Sequence, residues 1–125
     1  MVTATDACLE YAAKLFNGVS TAPFKYVAFG SGQTAEATTQ TALVTEITGS
    51  GLARSAGTAS YEATGKAVIT HTATANAPIT VWERGLFDAA SSGNMATRHK
   101  YATAKNLDAG ESLQTVDKIS FARSA

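Results

Sequence analysis

The chain has 125 residues, enough for one domain, and its ten basic and ten acidic residues give a formal net charge of zero. Nucleic-acid binding needs clustered Lys and Arg, and no segment is strongly basic. The composition therefore excludes nucleic-acid binding as the main task. Large side chains are few, with one Trp, five Phe, four Tyr and two Met. The core must be thin, as it is between two sheets packed face to face.

The first residues lack the basic and apolar regions of a signal peptide, and no apolar run approaches the roughly 20 residues of a membrane span. We therefore expect a chain that is made in the cytosol, with no leader and no membrane partner. Cys8 is the single cysteine, which excludes a disulfide within the chain. We interpret it as a small buried apolar residue.

Residues 3–17 are predicted to form an amphipathic helix. Thr3 or Thr5 can act as the N-cap, Asp6 favours the first turn, and Gly18 ends the segment. One face carries apolar residues at helical spacing, namely Cys8, Ala12, Leu15, Phe16 and Val19. A helix with one apolar face is not stable alone, so we expect it to pack on its own sheet or on another subunit.

The middle of the chain predicts one strand and a long connection. Residues 24–29 carry bulky side chains at successive positions, which indicates a central strand covered on both faces. Residues 33–42 are rich in Thr and Ala and predict a surface loop. Residues 41–47 predict a short helical turn, with Leu43 and Ile47 facing inward.

The second half predicts strands and turns almost throughout. Residues 52–62 form one predicted strand with a kink at Gly57, and a hairpin turn follows at 63–66. Later strands are predicted at residues 67–75, 79–88, 95–103 and 112–122. About six strands with short turns and one leading helix indicate a mainly β protein. We predict a single domain over residues 1–125, an antiparallel β-sandwich, jelly-roll-like, with an N-terminal α-helix.

No motif in the sequence predicts a cofactor or a metal ion. Gly30 and Gly32 follow a strand, as in a dinucleotide-binding fingerprint, but no βαβ unit surrounds them, so we interpret them as a tight turn. His71 and His99 lie on different strands without Cys or acidic residues at ligand spacing. We expect both histidines to lie on strand faces or in an interface.

The sequence also gives no reason to expect an enzyme. Glu83 and Asp88 are five residues apart on one predicted strand and therefore face opposite sides, which prevents them from acting as an acid–base pair. Asp88 is better placed to close the following turn through its side chain. No serine has the sequence context of a nucleophile elbow.

A few residues are candidates for contact with other subunits. Arg84, Arg98, His99 and Lys100 are the nearest thing to a basic patch, which is either solvated charge or a polar interface. Trp82 is either a core residue or an interface anchor. The candidate interface residues are Tyr11, Leu15, Phe16, Trp82, Arg84, Arg98 and His99.

An ordered set of short motifs resembles a group of small tailed-bacteriophage virion proteins. They are Y-x-A-x-G-x-G-x-T at residues 26–34, T-A-L-x-x-E-I at 41–47, I-T-E-x-G-L-F-D-A at 79–89, forms of S-G-G-x-M-x-x-R at 91–98 and of G-D-S-L at 110–113. Val81 and Trp82 interrupt the third motif, and Glu111 replaces Asp in the last. Neither change disturbs a strand or a turn. The set covers roughly residues 24–122.

The resemblance implies a virion structural role, and we expect a capsid decoration (cement) protein. We expect such a protein to bind the major capsid protein on the outer face of the shell, as a homo-oligomer around a local symmetry axis, and to be made in the host cytoplasm. Helix 3–17 and loop 33–42 are the expected contact surfaces. One alternative is a tail, baseplate or fibre-attachment component. Another is a carbohydrate-binding module for host recognition.

Overall fold

The computed structural model describes residues 2–123, so residues 1, 124 and 125 of the predicted domain lie outside it. The described part contains one helix, α1 (Asp6–Phe16), and eight strands. The strands are β1 (Val2–Ala4), β2 (Tyr26–Gly30), β3 (Ser55–Ala56), β4 (Thr58–Ala63), β5 (Lys66–Thr74), β6 (Ile79–Phe87), β7 (Met95–Leu107) and β8 (Ser112–Ser120). Within this range no helix has the length and apolar character needed to span a bilayer.

The strands form two antiparallel sheets. The five-stranded sheet has the order β1-β7-β6-β2-β3, and the three-stranded sheet has the order β4-β5-β8. Side chains from both sheets meet in one core, for example Phe29 and Val81 from the first with Ile69 and Ala73 from the second. The predicted antiparallel β-sandwich with an N-terminal helix is confirmed. The jelly-roll arrangement is not confirmed, because the strands divide five and three.

Strand β2 is covered on both faces, as its sequence predicts. Val27, Ala28 and Phe29 are all fully buried. Val27 and Phe29 belong to the core between the sheets, whereas Ala28 packs in a second cluster on the other face of the five-stranded sheet. Consecutive residues of a strand point to opposite faces, so two covered faces require apolar side chains at every position.

The chain begins with a strand that the sequence did not predict, and the helix is shorter than residues 3–17. Val2–Ala4 pair with β7, with Thr3 opposite Arg98. Thr5 is the N-cap: its hydroxyl accepts a hydrogen bond from the Cys8 amide at 3.2 Å and donates one to the Met95 carbonyl. One buried hydroxyl therefore starts the helix and fastens it to β7.

The predicted helical turn at residues 41–47 is wrong, although the prediction that Leu43 and Ile47 face inward is confirmed. Leu43 and Ile47 are buried, but the segment is irregular and the amide of Ile47 donates to the Phe29 carbonyl at 2.7 Å. A bridge also pairs Glu46 with Gly30. The segment thus runs along the end of β2 and takes its hydrogen bonds from there.

The predicted strand 52–62 is two strands in different sheets, and the predicted kink at Gly57 is where the chain passes between them. β3 ends at Ala56 in the five-stranded sheet, and β4 begins at Thr58 in the three-stranded sheet. A Cβ atom at Gly57 would lie 2.7 Å from Ile69 Cγ2 and 2.9 Å from the Thr70 carbonyl oxygen. The crossing therefore leaves no room for a side chain.

We predict that Gly57→Ala lowers the free energy of unfolding by about 1–3 kcal/mol, the usual cost of overpacking. Chemical denaturation of the full chain measures it. Gly49→Ala is the matched control, because a Cβ atom there meets nothing within 4 Å. Equal effects of the two substitutions would show that the crossing is not tightly packed.

Candidate functional site

A buried ion pair lies on the outer face of the five-stranded sheet, the face that points away from the three-stranded sheet. Arg98 Nε donates to Glu83 Oε1 at 2.9 Å, and both side chains are fully buried. Gly85 lies directly across from Arg98 in the strand register. A Cβ atom at Gly85 would lie 2.9 Å from Phe87 Cε2 and 3.0 Å from Leu43 Cδ2, so the glycine makes room for the apolar cluster that lies beside the ion pair.

The Glu83 carboxylate also holds the segment that covers this face, which we call the covering loop (residues 31–47). It accepts hydrogen bonds from the amides of Gly32 at 2.7 Å and of Val44 and Thr45 at 2.9 Å. Hydrogen bonds to a charged group are stronger than neutral ones, and a buried carboxylate needs such partners. Glu83 therefore fixes both ends of the covering loop at one point.

Arg98 fastens the middle of the covering loop. Its Nη1 donates to the Thr34 carbonyl at 2.8 Å and approaches Gln40 Oε1 at 3.4 Å. The prediction that Arg98 belongs to a surface basic patch or an interface is wrong, because the covering loop and Glu83 bury the whole side chain. The sequence shows a charge on a strand but not the loop that covers it.

Arg84, the neighbour of Glu83 on β6, points the other way and joins the two sheets. Its Nε donates to Asp117 Oδ1 on β8 at 3.1 Å, and its Nη1 donates to Tyr101 Oη at 3.1 Å. Burial lowers the pKa of Arg84, but the charge of Asp117 and the contact with Tyr101 outweigh burial and raise it. The Arg84 side chain is only 13% exposed, so little of it is available for contact with another subunit.

A serine and a histidine lie close together at the edge of the core. Ser55 Oγ is 3.3 Å from His71 Nε2, and the His71 ring stacks on Phe29 with 6.1 Å between ring centroids. Burial lowers the pKa of His71. A nucleophile and its base need a third group that orients the base. Asp117, the carboxylate whose charge influences His71, accepts a hydrogen bond from Arg84 instead.

The remaining polar candidates lie on β6 and β7. His99 Nδ1 is 3.5 Å from Glu36 Oε2 in the covering loop, and the His99 ring contacts Tyr101 edge-on at 4.8 Å. Trp82 is half-buried, with the Lys100 ammonium 5.9 Å from its ring centre. Their role in an interface stays a prediction. Among residues 2–123, no group of three or more His, Cys, Asp or Glu side chains is arranged to hold a metal ion.

Helix α1 forms one wall of an apolar groove of about 590 Å³. The helix contributes Cys8, Ala12, Leu15 and Phe16, and the other walls come from residues 23–25 and from β4, β5 and β8. Cys8 is buried, as predicted, and burial raises the pKa of its thiol. Phe16 at the rim is 95% exposed, although its spacing placed it on the packed face of the helix.

The structure does not bring all the predicted interface residues together. Leu15 and Phe16 line the apolar groove, and Tyr11 lies on the same helix with the Lys14 ammonium 4.4 Å from its ring centre. The polar candidates lie on β6 and β7 instead. Sequence reasoning missed the anchoring role of Glu83, whose signal was an acidic residue in a strand with apolar residues on both sides of it. It also missed the groove, which exists only after the helix and the sheet have packed.

Comparison with protein families places the chain among phage proteins. A family model described as podophage GP4 fiber I protein gp80 matches residues 8–121. The matched range runs from the first turn of α1 to the residue after β8. The search of curated proteins found no match. The family match confirms the predicted phage virion structural protein, and it supports the tail-associated alternative more than capsid decoration.

We predict that Glu83→Gln lowers the free energy of unfolding by about 3–5 kcal/mol, because it leaves the Arg98 charge buried without a counter-charge. Amide hydrogen exchange at Gly32, Val44 and Thr45 should accelerate, since their acceptor is weakened. Glu62→Gln is the matched control: Glu62 pairs with Lys118 on the surface at 2.9 Å, and exposed pairs contribute little. Unchanged exchange in the covering loop would contradict the anchoring role of Glu83.

We predict that stability falls as the pH drops below about 6.5, because burial lowers the pKa of His71 from its usual value of 6.5. The unfolded imidazole takes up its proton first, so the unfolded state gains stability at lower pH, and the contribution of neutral His71 is complete above that value. Denaturant unfolding from about pH 7.5 to about pH 5 measures the slope. If His71→Gln keeps the full slope, another group is responsible.

Proposed function

The chain belongs to the podophage GP4 fiber I protein gp80 family, and from this membership we propose that it is a tail-associated structural subunit of a phage virion, in a fibre or at its attachment. The observation that carries the proposal is the family match over residues 8–121. It includes nearly all of α1 and every strand after β1. The resemblance therefore concerns the whole sandwich and not one isolated motif.

The internal bracing of the sandwich supports a structural role. Arg84 and Asp117 join the two sheets, and Glu83 holds the covering loop against the five-stranded sheet. Each of these contacts links segments that are far apart in sequence, so relative movement of the segments would break charge-assisted hydrogen bonds. A subunit that keeps a fixed position among its neighbours benefits from a surface whose loops are held in this way.

We further propose that the protein acts by surface contact and not by catalysis. The two carboxylates buried in the described structure hold the fold: Glu83 accepts from Arg98 and from three amides, and Asp117 pairs with Arg84. A general acid or base needs a proton that it can exchange with a substrate. The contacts of Glu83 and Asp117 stabilise the charged form of each carboxylate and hold it against a protein partner, which does not suit proton exchange with a substrate.

The proposed partners are copies of the chain and neighbouring tail proteins, with α1 and loop 33–42 as contact surfaces. Most of loop 33–42 is exposed, and α1 is exposed at Asp6, Leu9, Glu10, Ala13 and Phe16. Capsid decoration, with the major capsid protein as partner, remains the second candidate because the short motifs that predict it extend over most of the chain. The two candidates differ in the place of the protein in the particle.

Electron cryo-microscopy of purified virions labelled with an antibody fragment against this chain tests the proposal. We expect label at the tail and none on the shell. Virions produced without the protein are the matched control, and they should carry no label while keeping intact heads. Label distributed over the capsid surface would contradict the tail proposal and support capsid decoration.

A further inference from the structure

The sequence contains one Asn-Gly pair, Asn17-Gly18, and it lies where helix α1 ends. Asn17 is the C-cap of the helix, and Gly18 follows in the left-handed conformation with φ of 82°. Asn17, Gly18 and Val19 are all exposed. We propose that Asn17 is a site of spontaneous deamidation, in which the Gly18 amide attacks the Asn17 side chain and an aspartate or isoaspartate is left at the end of α1.

The reaction needs water and a base from the buffer, and it involves no oxidation or reduction. The base removes the proton of the Gly18 amide, and the Gly18 nitrogen forms a bond to Cγ of Asn17. The bond between Cγ and Nδ2 breaks, and Nδ2 leaves with a proton as ammonia, which closes a succinimide ring. Water then opens the ring. Breaking the new N–Cγ bond gives aspartate, and breaking the original peptide C–N bond gives isoaspartate.

The hydrogen bonds around Asn17 favour this attack. The Val19 amide donates to Asn17 Oδ1 at 3.1 Å, so the side-chain carbonyl is held near the backbone that follows it. A donor on a carbonyl oxygen also stabilises the negative charge that develops there when the carbon is attacked. The Gly18 amide donates to the Leu15 carbonyl at 3.4 Å, which is long for such a bond. The attacking nitrogen is therefore weakly held, and the carbon that it attacks is polarised.

The backbone at the end of α1 has the freedom that ring closure requires. The Gly18 nitrogen must approach Cγ by rotation about the Cα–C bond of Asn17, whose ψ is 4°. Gly18 has no side chain to hinder this approach, and a Cβ atom there would meet nothing within 4 Å. The ends of helices also open locally at little cost in free energy. The fold therefore leaves Asn17 free to react.

The other three asparagines of the chain differ from Asn17 in these respects. Asn76, Asn94 and Asn106 are followed by Ala, Met and Leu, whose side chains crowd the attacking nitrogen. The Asn94 side-chain amide donates to Asp88 at 2.9 Å, and Asn106 Oδ1 accepts from the Thr80 hydroxyl at 2.8 Å. These three residues therefore serve as internal controls.

The product places a negative charge at the unfavourable end of α1. A helix carries partial negative charge at its C-terminus, so a carboxylate at position 17 weakens the last turn. Lys14, the basic residue in that turn, already pairs with Glu10 at 3.0 Å. We therefore expect Asn17→Asp, which reproduces one product, to accelerate amide hydrogen exchange at Gly18. Deamidation would change this end of the helix wherever in the virion the protein lies.

Mass spectrometry of tryptic peptides from the full chain, incubated in mildly alkaline buffer, tests the proposal. Residues 15–25 form one peptide, because Lys14 precedes it and Lys25 ends it, and Asn17 is its one asparagine. We expect this peptide to gain the mass of an amide-to-acid conversion and to separate into two isomers. The peptides with the other asparagines should keep their mass.

Two variants identify the reacting groups, and circular dichroism should show that both fold. Asn17→Gln is the matched control, because it keeps a side-chain amide but would need a larger ring. Gly18→Ala should slow the conversion by at least about tenfold, equivalent to about 1.4 kcal/mol in the barrier, because a methyl group crowds the nitrogen. The wild type in denaturant gives the rate without the fold, and we expect the folded chain to react within about tenfold of it.

A folded chain that reacts more than about tenfold slower than the denatured chain would overturn the proposal, because the fold would then protect Asn17. So would conversion of Asn17→Gln, or of the other asparagines, at the wild-type rate of Asn17. A conversion that Gly18→Ala does not slow would exclude attack by the Gly18 amide. Unchanged hydrogen exchange in Asn17→Asp would contradict the effect on the last turn of α1.

Discussion

The fold of the outer half of this protein depends on one buried carboxylate. Glu83 lies in the middle of a strand that is otherwise apolar on its buried faces, where an unpaired charge would be severely unfavourable. Arg98 and the amides of Gly32, Val44 and Thr45 supply the required partners. The same hydrogen bonds hold the covering loop, which in turn places Leu43 over the outer apolar cluster. The covering loop thus provides hydrogen-bond donors for the buried carboxylate and also covers the outer apolar cluster.

Features determined by nearby residues could be predicted from the sequence. Alternating apolar positions gave the strands of the second half, Thr5 gave the start of the helix, and Asp88 closes its turn by accepting from the Asn94 amide at 2.7 Å. Features that depend on distant partners were missed. Strand β1 forms only by pairing with the distant β7, and the passage between sheets at Gly57 depends on the position of β5. Neither partner can be recognised from local sequence.

The motifs that carried the resemblance to phage virion proteins converge on the Glu83 network. The first motif provides Gly30 and Gly32, where a Cβ atom would collide with the Glu83 side chain. The third motif provides Glu83 itself, and the fourth provides Arg98. These residues hold the sandwich and its covering loop together. The motifs therefore identify proteins that share this sandwich and its covering loop. They indicated a virion protein, but they do not distinguish a shell protein from a tail protein.

Information about the place of the protein must therefore lie in parts of the surface outside those motifs. The groove is formed by Phe16 and the rest of α1, which precede the first motif, and by Ala67 and its neighbours, which lie between the second and the third. These residues take no part in the hydrogen bonds of Glu83, so substitutions there would leave that network in place. Function is determined by surface sites and not by the fold itself, so one interior is compatible with different docking surfaces.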